Sequence, residues 1–226
     1  MKKWPGAFVL FVLLVVGGVY AWRKFYSPKH NYEIAKSEVK QLVADEKLKD
    51  GDLIFQTSLS GQSKAIQLAT KSKYSHCGII YKNSGGYYVY EAVQSVRLTP
   101  LDAWIARGEG GHYVIKRLKN SDQVLNPDIL VKLKQVGAEF KGKGYDLAFE
   151  WSDDKIYCSE LIWKMYQRAT GIEIGRLQKL REFDLTNDAV KRKMKERYGD
   201  KVPMDEIVIS PDAIFKSDLL VTVADN

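Results

Sequence analysis

The sequence predicts an α+β fold in which an antiparallel sheet packs against helices. Its 226 residues, 45% of them hydrophobic and 28% charged, suit one folded core with additions. The stretch "HCGIIYKNSGGYYVYEAV" holds two runs of alternating side chains around a glycine turn, which predicts a β-hairpin. The stretches "NPDILVKLKQVGAEFKGKG" and "IYCSELIWKMYQRATG" repeat apolar residues at helical spacing and end at glycine, which predicts two amphipathic helices.

The first 22 residues form the clearest break in composition, and we expect them to be a signal peptide or a membrane anchor. Lys2 and Lys3 precede an uncharged apolar run over residues 5–22, the order of charge and hydrophobicity found in signal peptides. Small residues would suit cleavage after Ala21. Aromatic residues at both ends of a run of about 17 apolar residues equally suit a tether in the inner membrane. Either alternative predicts an exported, periplasmic or extracytoplasmic domain.

Residues 23–50 are predicted to be a helical connector, and residues 51–226 to be the domain itself. The connector carries apolar residues at helical spacing on a polar background. The net charge of +7 and the pI near 9.1 would suit an anionic partner. However, acidic residues are scattered among the basic ones, and even the dense basic run over residues 190–201 contains two of them. We therefore interpret that run as a solvated helix face and predict no nucleic-acid partner.

Two residues of the hairpin, His76 and Glu91, are predicted to lie on one face of the sheet. Side chains alternate along a strand, and an even-length loop at "NSGG" pairs residue 82 with residue 87 and Gly78 with Glu91. His76 and Glu91 are then diagonal neighbours within reach of each other. An odd loop with a bulge would move Glu91 to the other face. The alternative for His76 is a partly buried strand histidine without a catalytic role.

Cys158 lies at the predicted start of a helix, where free N–H groups and the helix dipole favour a thiolate. A cysteine served by an imidazole that a carboxylate orients is the arrangement of thiol acyl transfer. Cys77 points away from His76 on its strand, so we interpret it as a packing residue. Two alternatives stay open: a disulfide between Cys77 and Cys158 in an oxidising compartment, or a packed Cys158 without reactivity.

Two other chemistries find little support in the residues. A zinc site needs three or four ligands, and the three histidines and two cysteines show no metal-type spacing. A serine hydrolase with a nucleophile elbow needs G-x-S-x-G, which does not occur in the sequence. Thiol chemistry therefore remains the leading hypothesis, and no metal site is predicted.

A set of ordered motifs resembles the YiiX-like family of circularly permuted papain-fold proteins, which is related to the NlpC-type cell-wall peptidases. The resemblance implies a permuted papain-like (NlpC-type) fold with Cys158 as nucleophile, His76 as general base and then acid, and Glu91 orienting the imidazole. It also implies that Tyr145 and Asp146 line the substrate cleft, and it implies no cofactor. The motifs are "GDLIFQTSLSGQSKAIQLAT", "YSHCGII", "YYVYEAV", "TPLDAWIARGEGGHYVIKR", "GYDLAFEWSDDKIYCSELIWKMY" and "REFDLTN", which together span roughly residues 50–220.

These inferences predict an exported, thiol-dependent amide hydrolase. By resemblance, its substrate is a peptide or amide of the cell envelope, such as a peptidoglycan stem peptide. A lipid acyl hydrolase or acyltransferase at the membrane is one alternative, because related permuted folds include lipid acyltransferases. A non-catalytic envelope-binding module is another, although the intact set of His76, Glu91 and Cys158 argues against it. The sequence leaves the oligomeric state open.

Overall fold

The predicted hairpin is part of a six-stranded sheet in which neighbouring strands run antiparallel. The computed structural model describes residues 27–226. In chain order the strands are β1 (Leu53–Gln56), β2 (His76–Asn83), β3 (Gly86–Ala92), β4 (Val96–Pro100), β5 (Val114–Leu118), β6 (Gln178–Lys179), β7 (Ile207–Val208) and β8 (Leu220–Asp225). The sheet order is β4-β3-β2-β1-β5-β8, while β6 and β7 pair separately.

Helices cover both faces of the sheet, as the α+β prediction requires. One apolar cluster joins Ile79 of β2 to Leu161, and a second joins Ile80, the next residue, to Ala35 and Trp104. Successive strand residues point to opposite faces, so the sheet separates two apolar cores. The helices are α1 (Ser27–Ala44), α2 (Ser63–Thr70), α3 (Leu101–Ala106), α4 (Ser121–Val124), α5 (Pro127–Phe140), α6 (Cys158–Thr170), α7 (Asp188–Tyr198) and α8 (Pro211–Phe215), with 3-10 turns at Glu109–Gly111 and Leu180–Glu182.

The hairpin has the predicted even register. Lys82 pairs with Tyr87 and Asn83 pairs with Gly86, so residues 84–85 alone form the turn. Gly86 has a φ of 120°, a backbone conformation that favours glycine. This register places the side chains of residues 76 and 91 on one face of the sheet, which confirms the geometric basis of the predicted pair.

Both predicted amphipathic helices form, with the caps that their sequences indicate. At the start of α5, the Asn126 side chain accepts a hydrogen bond from the N–H of Ile129 at 3.0 Å. At the end of α6, Gly171 has a φ of 77°, a left-handed conformation that closes the helix. The first residue of α6 is Cys158, so the predicted position of this cysteine at a helix N-terminus is confirmed.

The helix predicted as a connector packs into the fold. Ala35 and Leu42 of α1 are buried in the cluster that α3 and the sheet share, and the Tyr32 hydroxyl donates to Asp102 at 3.1 Å. The helical core of the domain therefore begins before residue 51. The predicted signal peptide or anchor over residues 1–22, with its cleavage after Ala21, lies outside the described residues. Within residues 27–226, no helix combines the length and apolarity needed to cross a bilayer.

The last strand, β8, has no counterpart in the sequence-based prediction. The short helix α8 precedes it, and its first turn is capped by the Ser210 hydroxyl, which accepts the N–H of Ala213 at 3.0 Å. The chain then returns to the sheet edge and pairs β8 with β5. Only Leu220 of this strand is buried, so its sequence lacks the alternating burial pattern that marks an inner strand.

Replacing Gly78 with alanine should destabilise the hairpin. A Cβ atom at this position would lie 2.3 Å from Val89 Cγ1 and 2.9 Å from the Tyr90 carbonyl oxygen. Because the backbone of β3 must shift to relieve this overlap, we expect Gly78→Ala to lower the free energy of unfolding by about 2 kcal/mol or more. Denaturant titration of the full chain measures the loss. Gly61→Ala is the matched control, since nothing lies within 4 Å of a Cβ there, and an equal loss in both variants would contradict the packing argument.

Candidate active site

The centre of the candidate site is an ion pair between two neighbouring strands. His76 is the first residue of β2, and Glu91 lies near the end of β3. The His76 Nε2 donates to Glu91 Oε2 at 2.6 Å, and the Glu91 side chain has no exposed surface. The predicted diagonal pair therefore forms, with one ring nitrogen committed to the carboxylate and the other left for a second partner.

The Glu91 carboxylate is held by donors from the next two elements of the chain. Thr99 of β4 donates its hydroxyl to Oε1 at 2.6 Å, and the Trp104 indole of α3 donates to Oε2 at 2.9 Å. The Arg107 guanidinium also hydrogen-bonds Oε2. Burial alone would raise the pKa of Glu91, but the hydrogen bonds and charges of His76 and Arg107 outweigh it and lower the pKa to about 2. Glu91 is therefore ionised at every physiological pH.

The same residues fix the imidazole ring. The Trp104 ring stacks on the His76 ring, with centroids 5.8 Å apart and an interplanar angle of 25°. The Arg107 Nη2 lies 3.4 Å from His76 Nε2. Thr99, Trp104 and Arg107 were not predicted as site residues. Strand alternation could have found Thr99, because it lies two residues beyond Arg97, the strand partner of Glu91, whereas Trp104 and Arg107 depend on how α3 packs.

Cys158 completes the group at the N-terminus of α6, where it is almost fully buried. A hydrogen bond from the Cys77 thiol lowers the pKa of Cys158, burial opposes it, and the His76 charge lowers it further, so that it lies well below the usual range. Burial lowers the pKa of His76, but the Cys158 thiolate and the Glu91 carboxylate raise it to about 9. The two groups therefore form a thiolate–imidazolium pair at neutral pH.

Cys77 does more than pack. Both cysteines are free, so the disulfide considered from the sequence is not formed. Burial raises the pKa of Cys77 well above its usual value, which keeps it a thiol. It lies in the same apolar cluster as Cys158, and its presence contributes to the lowered pKa of Cys158. Cys77 therefore favours the Cys158 thiolate in addition to packing, an effect that the sequence did not indicate.

The two predicted cleft residues have different surroundings. Tyr145 lines the site, and its hydroxyl accepts a hydrogen bond from Gln62 Nε2 at 2.9 Å. Burial and the nearby Cys158 charge raise the pKa of Tyr145 well above its usual value, so its O–H remains a donor. Asp146 is buried, and its Oδ1 accepts the N–H of Ala148 at 2.8 Å. Asp146 lines a neighbouring pocket. Among residues 27–226, it lines neither the cavity that contains Cys158 nor the groove that contains His76.

Two cavities meet at the thiolate–imidazolium pair. Cys158 lies on the wall of a narrow apolar cavity of about 80 Å³. His76 lies on the wall of an open groove whose lining is more polar than that of the cavity but also includes Leu59, Val93 and Leu147; we call it the polar groove. Tyr145 borders both. Apolar side chains in the cavity wall include Ala65, Ile66, Ala69, Phe149, Leu180, Phe183, Leu185, Val190, Met194, Val208 and Ile209. Polar side chains in the groove wall include Gln56, Ser58, Ser60, Gln62, Ser75, Gln94 and Arg107.

Removing the Thr99 hydroxyl should destabilise the protein through Glu91. Thr99→Val keeps the shape of the side chain but leaves one oxygen of a fully buried carboxylate without its donor. We expect the free energy of unfolding to fall by about 1.5–3 kcal/mol, the usual range for a hydrogen bond to a charged group. Thr186→Val is the control, because the Thr186 hydroxyl donates to Asp184 at the same 2.6 Å on the surface, where we expect a loss below about 1 kcal/mol. If both variants lost the same free energy of unfolding, the burial of Glu91 would not determine the strength of its hydrogen bond to Thr99.

Comparisons with known proteins identify the family. A family model described as a permuted papain-like amidase enzyme, YaeF/YiiX, C92 family, matches residues 47–224. YiiX of Escherichia coli (strain K12), described as an uncharacterized protein, is 50% identical over 174 residues, which are 77% of this chain and 85% of that protein. A crystal structure described as metalloprotein YiiX from Escherichia coli O157:H7 is 49% identical, with a TM-score of 0.76 over 80% of this chain and 98% of that one. The predicted fold and family are confirmed, and the chain belongs to the permuted papain-like amidases of the YaeF/YiiX family.

Proposed function

We propose that this hydrolase is a cysteine amidase whose substrate carries an apolar acyl group. The Cys158 thiolate attacks the amide carbonyl carbon, and the His76 imidazolium gives its proton to the nitrogen of the leaving amine as the C–N bond breaks. Water then attacks the thioester, with His76 taking a proton from the water. The carboxylic acid leaves, and Cys158 returns to the thiolate. Glu91 stays ionised throughout and holds the imidazole in place.

Two groups are placed to stabilise the oxyanion of the tetrahedral intermediate. The first N–H groups of an α-helix have no partner within the helix, and Cys158 is the first residue of α6. The Tyr145 hydroxyl accepts from Gln62 and so has its own proton free to donate. Both groups are fixed before the substrate arrives, which is the condition for strong electrostatic stabilisation.

The observation that carries the substrate proposal is the division of the cleft. His76 must protonate the leaving amine, and His76 lines the polar groove. The acyl carbon must reach Cys158, and Cys158 lines the apolar cavity. The amine half therefore fits the groove and the acyl half fits the cavity. An aliphatic acyl chain gains free energy from such a wall, whereas a polar peptide would lose hydrogen bonds to water there.

The cell envelope remains the proposed location of the substrate. The uncharged apolar run over residues 5–22 supports export, with the domain tethered to the inner membrane or released after Ala21. An N-acylated envelope amide would use both cavities, whereas an unacylated stem peptide would use the groove alone. Hydrolysis of a lipid acyl ester is the second candidate, favoured by the same apolar cavity. A binding module without turnover has less support, because the ion pair of Cys158 and His76 is intact.

The side chains over residues 27–226 do not fit a metal centre, although one related crystal structure is described as a metalloprotein. Within residues 27–226, no group of three or more histidine, cysteine, aspartate or glutamate side chains is arranged to hold a metal ion. The His76 Nε2 is already hydrogen-bonded to Glu91 at 2.6 Å, and the charges of His76 and Cys158 balance each other. The proposed reaction therefore uses protein groups alone.

The thiolate–imidazolium pair predicts the pH dependence of Cys158 alkylation. The thiolate persists below the ordinary thiol pKa and the imidazolium persists up to about 9, so labelling by iodoacetamide should stay near its plateau from pH 8 down to pH 6. In His76→Ala the imidazolium charge is lost, so the pKa of Cys158 rises toward the ordinary thiol value of about 8.5. Labelling at pH 6.5 should then slow by about tenfold or more. Intact mass and peptide mapping of the full chain measure the rates.

The exposed histidine His112 supplies the control for this experiment. His112→Ala should keep the wild-type profile, and Cys77 should stay unlabelled because its raised pKa keeps it protonated. A wild-type rate that falls tenfold per pH unit below 8.5 would contradict the activated thiol and favour the binding module.

The acyl preference is tested with amides that share one leaving group. We expect the full chain to hydrolyse N-acyl p-nitroanilides, with kcat/KM at least tenfold higher for the hexanoyl than for the acetyl compound, because each buried methylene contributes about 0.8 kcal/mol. Cys158→Ala should abolish turnover. Unacylated stem peptides and phospholipid vesicles are assayed in parallel. Cleavage of the peptides alone would restore the envelope-peptidase hypothesis, and release of fatty acid from the vesicles alone would favour the lipid hydrolase.

A further inference from the structure

A chain of hydrogen bonds links three separate elements at one side of the apolar cavity. Gln62, which directly precedes α2, donates from Nε2 to the Tyr145 hydroxyl at 2.9 Å. Its Oε1 accepts from Arg197 of α7 at 2.6 Å. Both atoms of one amide group are therefore committed, and the link joins α2, α7 and the segment before α6. We call Arg197, Gln62 and Tyr145 the clasp.

The clasp stands between two spaces. Tyr145, Lys193 and Arg197 line the apolar cavity on one side and an outer polar pocket on the other. The outer pocket also contains Gln62, Asp146 and Lys155, and its lining is more polar than that of the cavity, although it includes Leu147. An aliphatic chain that extends from Cys158 through the cavity would therefore meet a polar wall at this side.

Other contacts hold the wall in place. The Arg197 guanidinium lies 4.5 Å from the centroid of the Phe149 ring, and Phe149 itself lines the cavity with a φ of 53°. The neighbouring Tyr198 hydroxyl donates to the Ala148 carbonyl oxygen. A non-glycine residue in the left-handed region persists only when its surroundings fix it. These contacts should keep α7 and the segment around Phe149 folded when the Gln62 amide is removed, so that a variant at Gln62 changes the clasp and not the fold.

We propose that the Arg197 end of the clasp, which is linked to the Tyr145 hydroxyl through Gln62, closes the acyl cavity on the side of α7 and sets the longest acyl chain that the enzyme accepts. This inference rests on the proposed acyl amidase function. Each methylene that enters the apolar cavity should strengthen binding about fourfold, and the gain should stop where the chain reaches the clasp. Opening the clasp joins the cavity to the outer pocket and moves that limit to longer chains.

The test compares chain-length profiles of the full chain and three variants. N-acyl p-nitroanilides from acetyl to hexadecanoyl give kcat/KM, and the length at which kcat/KM stops rising is the measured break. Gln62→Ala and Arg197→Met should move the break by two or more carbons, whatever happens to the absolute rate. Gln67→Ala is the matched control on α2, since its amide bonds Ser63 and does not belong to the clasp. An unchanged break in both clasp variants overturns the inference.

A second measurement needs no turnover and separates this inference from the proposed function. Unreactive n-alkanols of increasing length should protect Cys158 from iodoacetamide, with the protection constant rising about fourfold per methylene up to the same break. If the wild type hydrolyses no amide but its protection break moves in Gln62→Ala, the clasp limits chain length and the amidase proposal fails. If the amides are hydrolysed and neither break moves, the amidase proposal stands and the clasp does not limit chain length.

Discussion

The site depends on one buried carboxylate. Glu91 has no exposed side-chain surface, and an uncompensated charge in such a place would cost several kcal/mol. Its four donors come from β2, β4, α3 and the residue that follows α3. The carboxylate therefore requires all of these elements in place at once. The packing of α1 on α3 belongs to the same requirement, because it excludes water from the side of the sheet on which Glu91 lies.

Ionised groups then alternate in sign from Arg107 through Glu91 and His76 to Cys158. Each group is stabilised in its charged form by the opposite charge beside it. The pKa values of the two acids therefore fall, and the pKa of the base between them rises. The pKa of Glu91 falls to about 2, the pKa of His76 rises to about 9, and the pKa of Cys158 falls below its usual range. Burial opposes ionisation at each of these three sites, so the charges persist because they are paired. Removing one group leaves its neighbours with an uncompensated charge, and the row acts as a unit.

Local patterns in the sequence were enough to predict part of this arrangement. Strand alternation and an even turn placed His76 beside Glu91, and the apolar stripe with its closing glycine placed Cys158 at a helix start. Both results depend on contacts within one short segment. Contacts that join distant segments were missed, because nothing in a local pattern determines how α3 packs. Trp104 and Arg107 reach Glu91 for that reason, and the edge strand β8 escaped notice because it is mostly exposed.

Cys77 shows how a correct local inference can still miss a role. Strand geometry places the side chains of Cys77 and His76 on opposite faces of the sheet. The sequence alone gives no reason to assign Cys77 a role beyond packing. The face that Cys77 occupies is the one that α6 covers, so the same alternation that separates it from His76 brings it to the sulfur of Cys158. Two consecutive residues of β2 thus act on the same cysteine from different sides, and both lower its pKa.

The division of the cleft follows from the same two-sided sheet. The N-terminus of α6 opens toward the cluster of α2 and α7, whose facing residues are apolar, with Ala65, Val190 and Met194 among them. His76, the first residue of β2, faces instead the groove whose loops carry serine and glutamine. A nucleophile with an apolar wall and a proton donor with a polar wall impose a direction on any amide that binds between them. In the reverse orientation the apolar chain would lie in water, and the proton donor would face the acyl group instead of the departing nitrogen. The proposed selectivity for the acyl half would thus arise from the positions of two secondary-structure ends, before any individual contact with the substrate is considered.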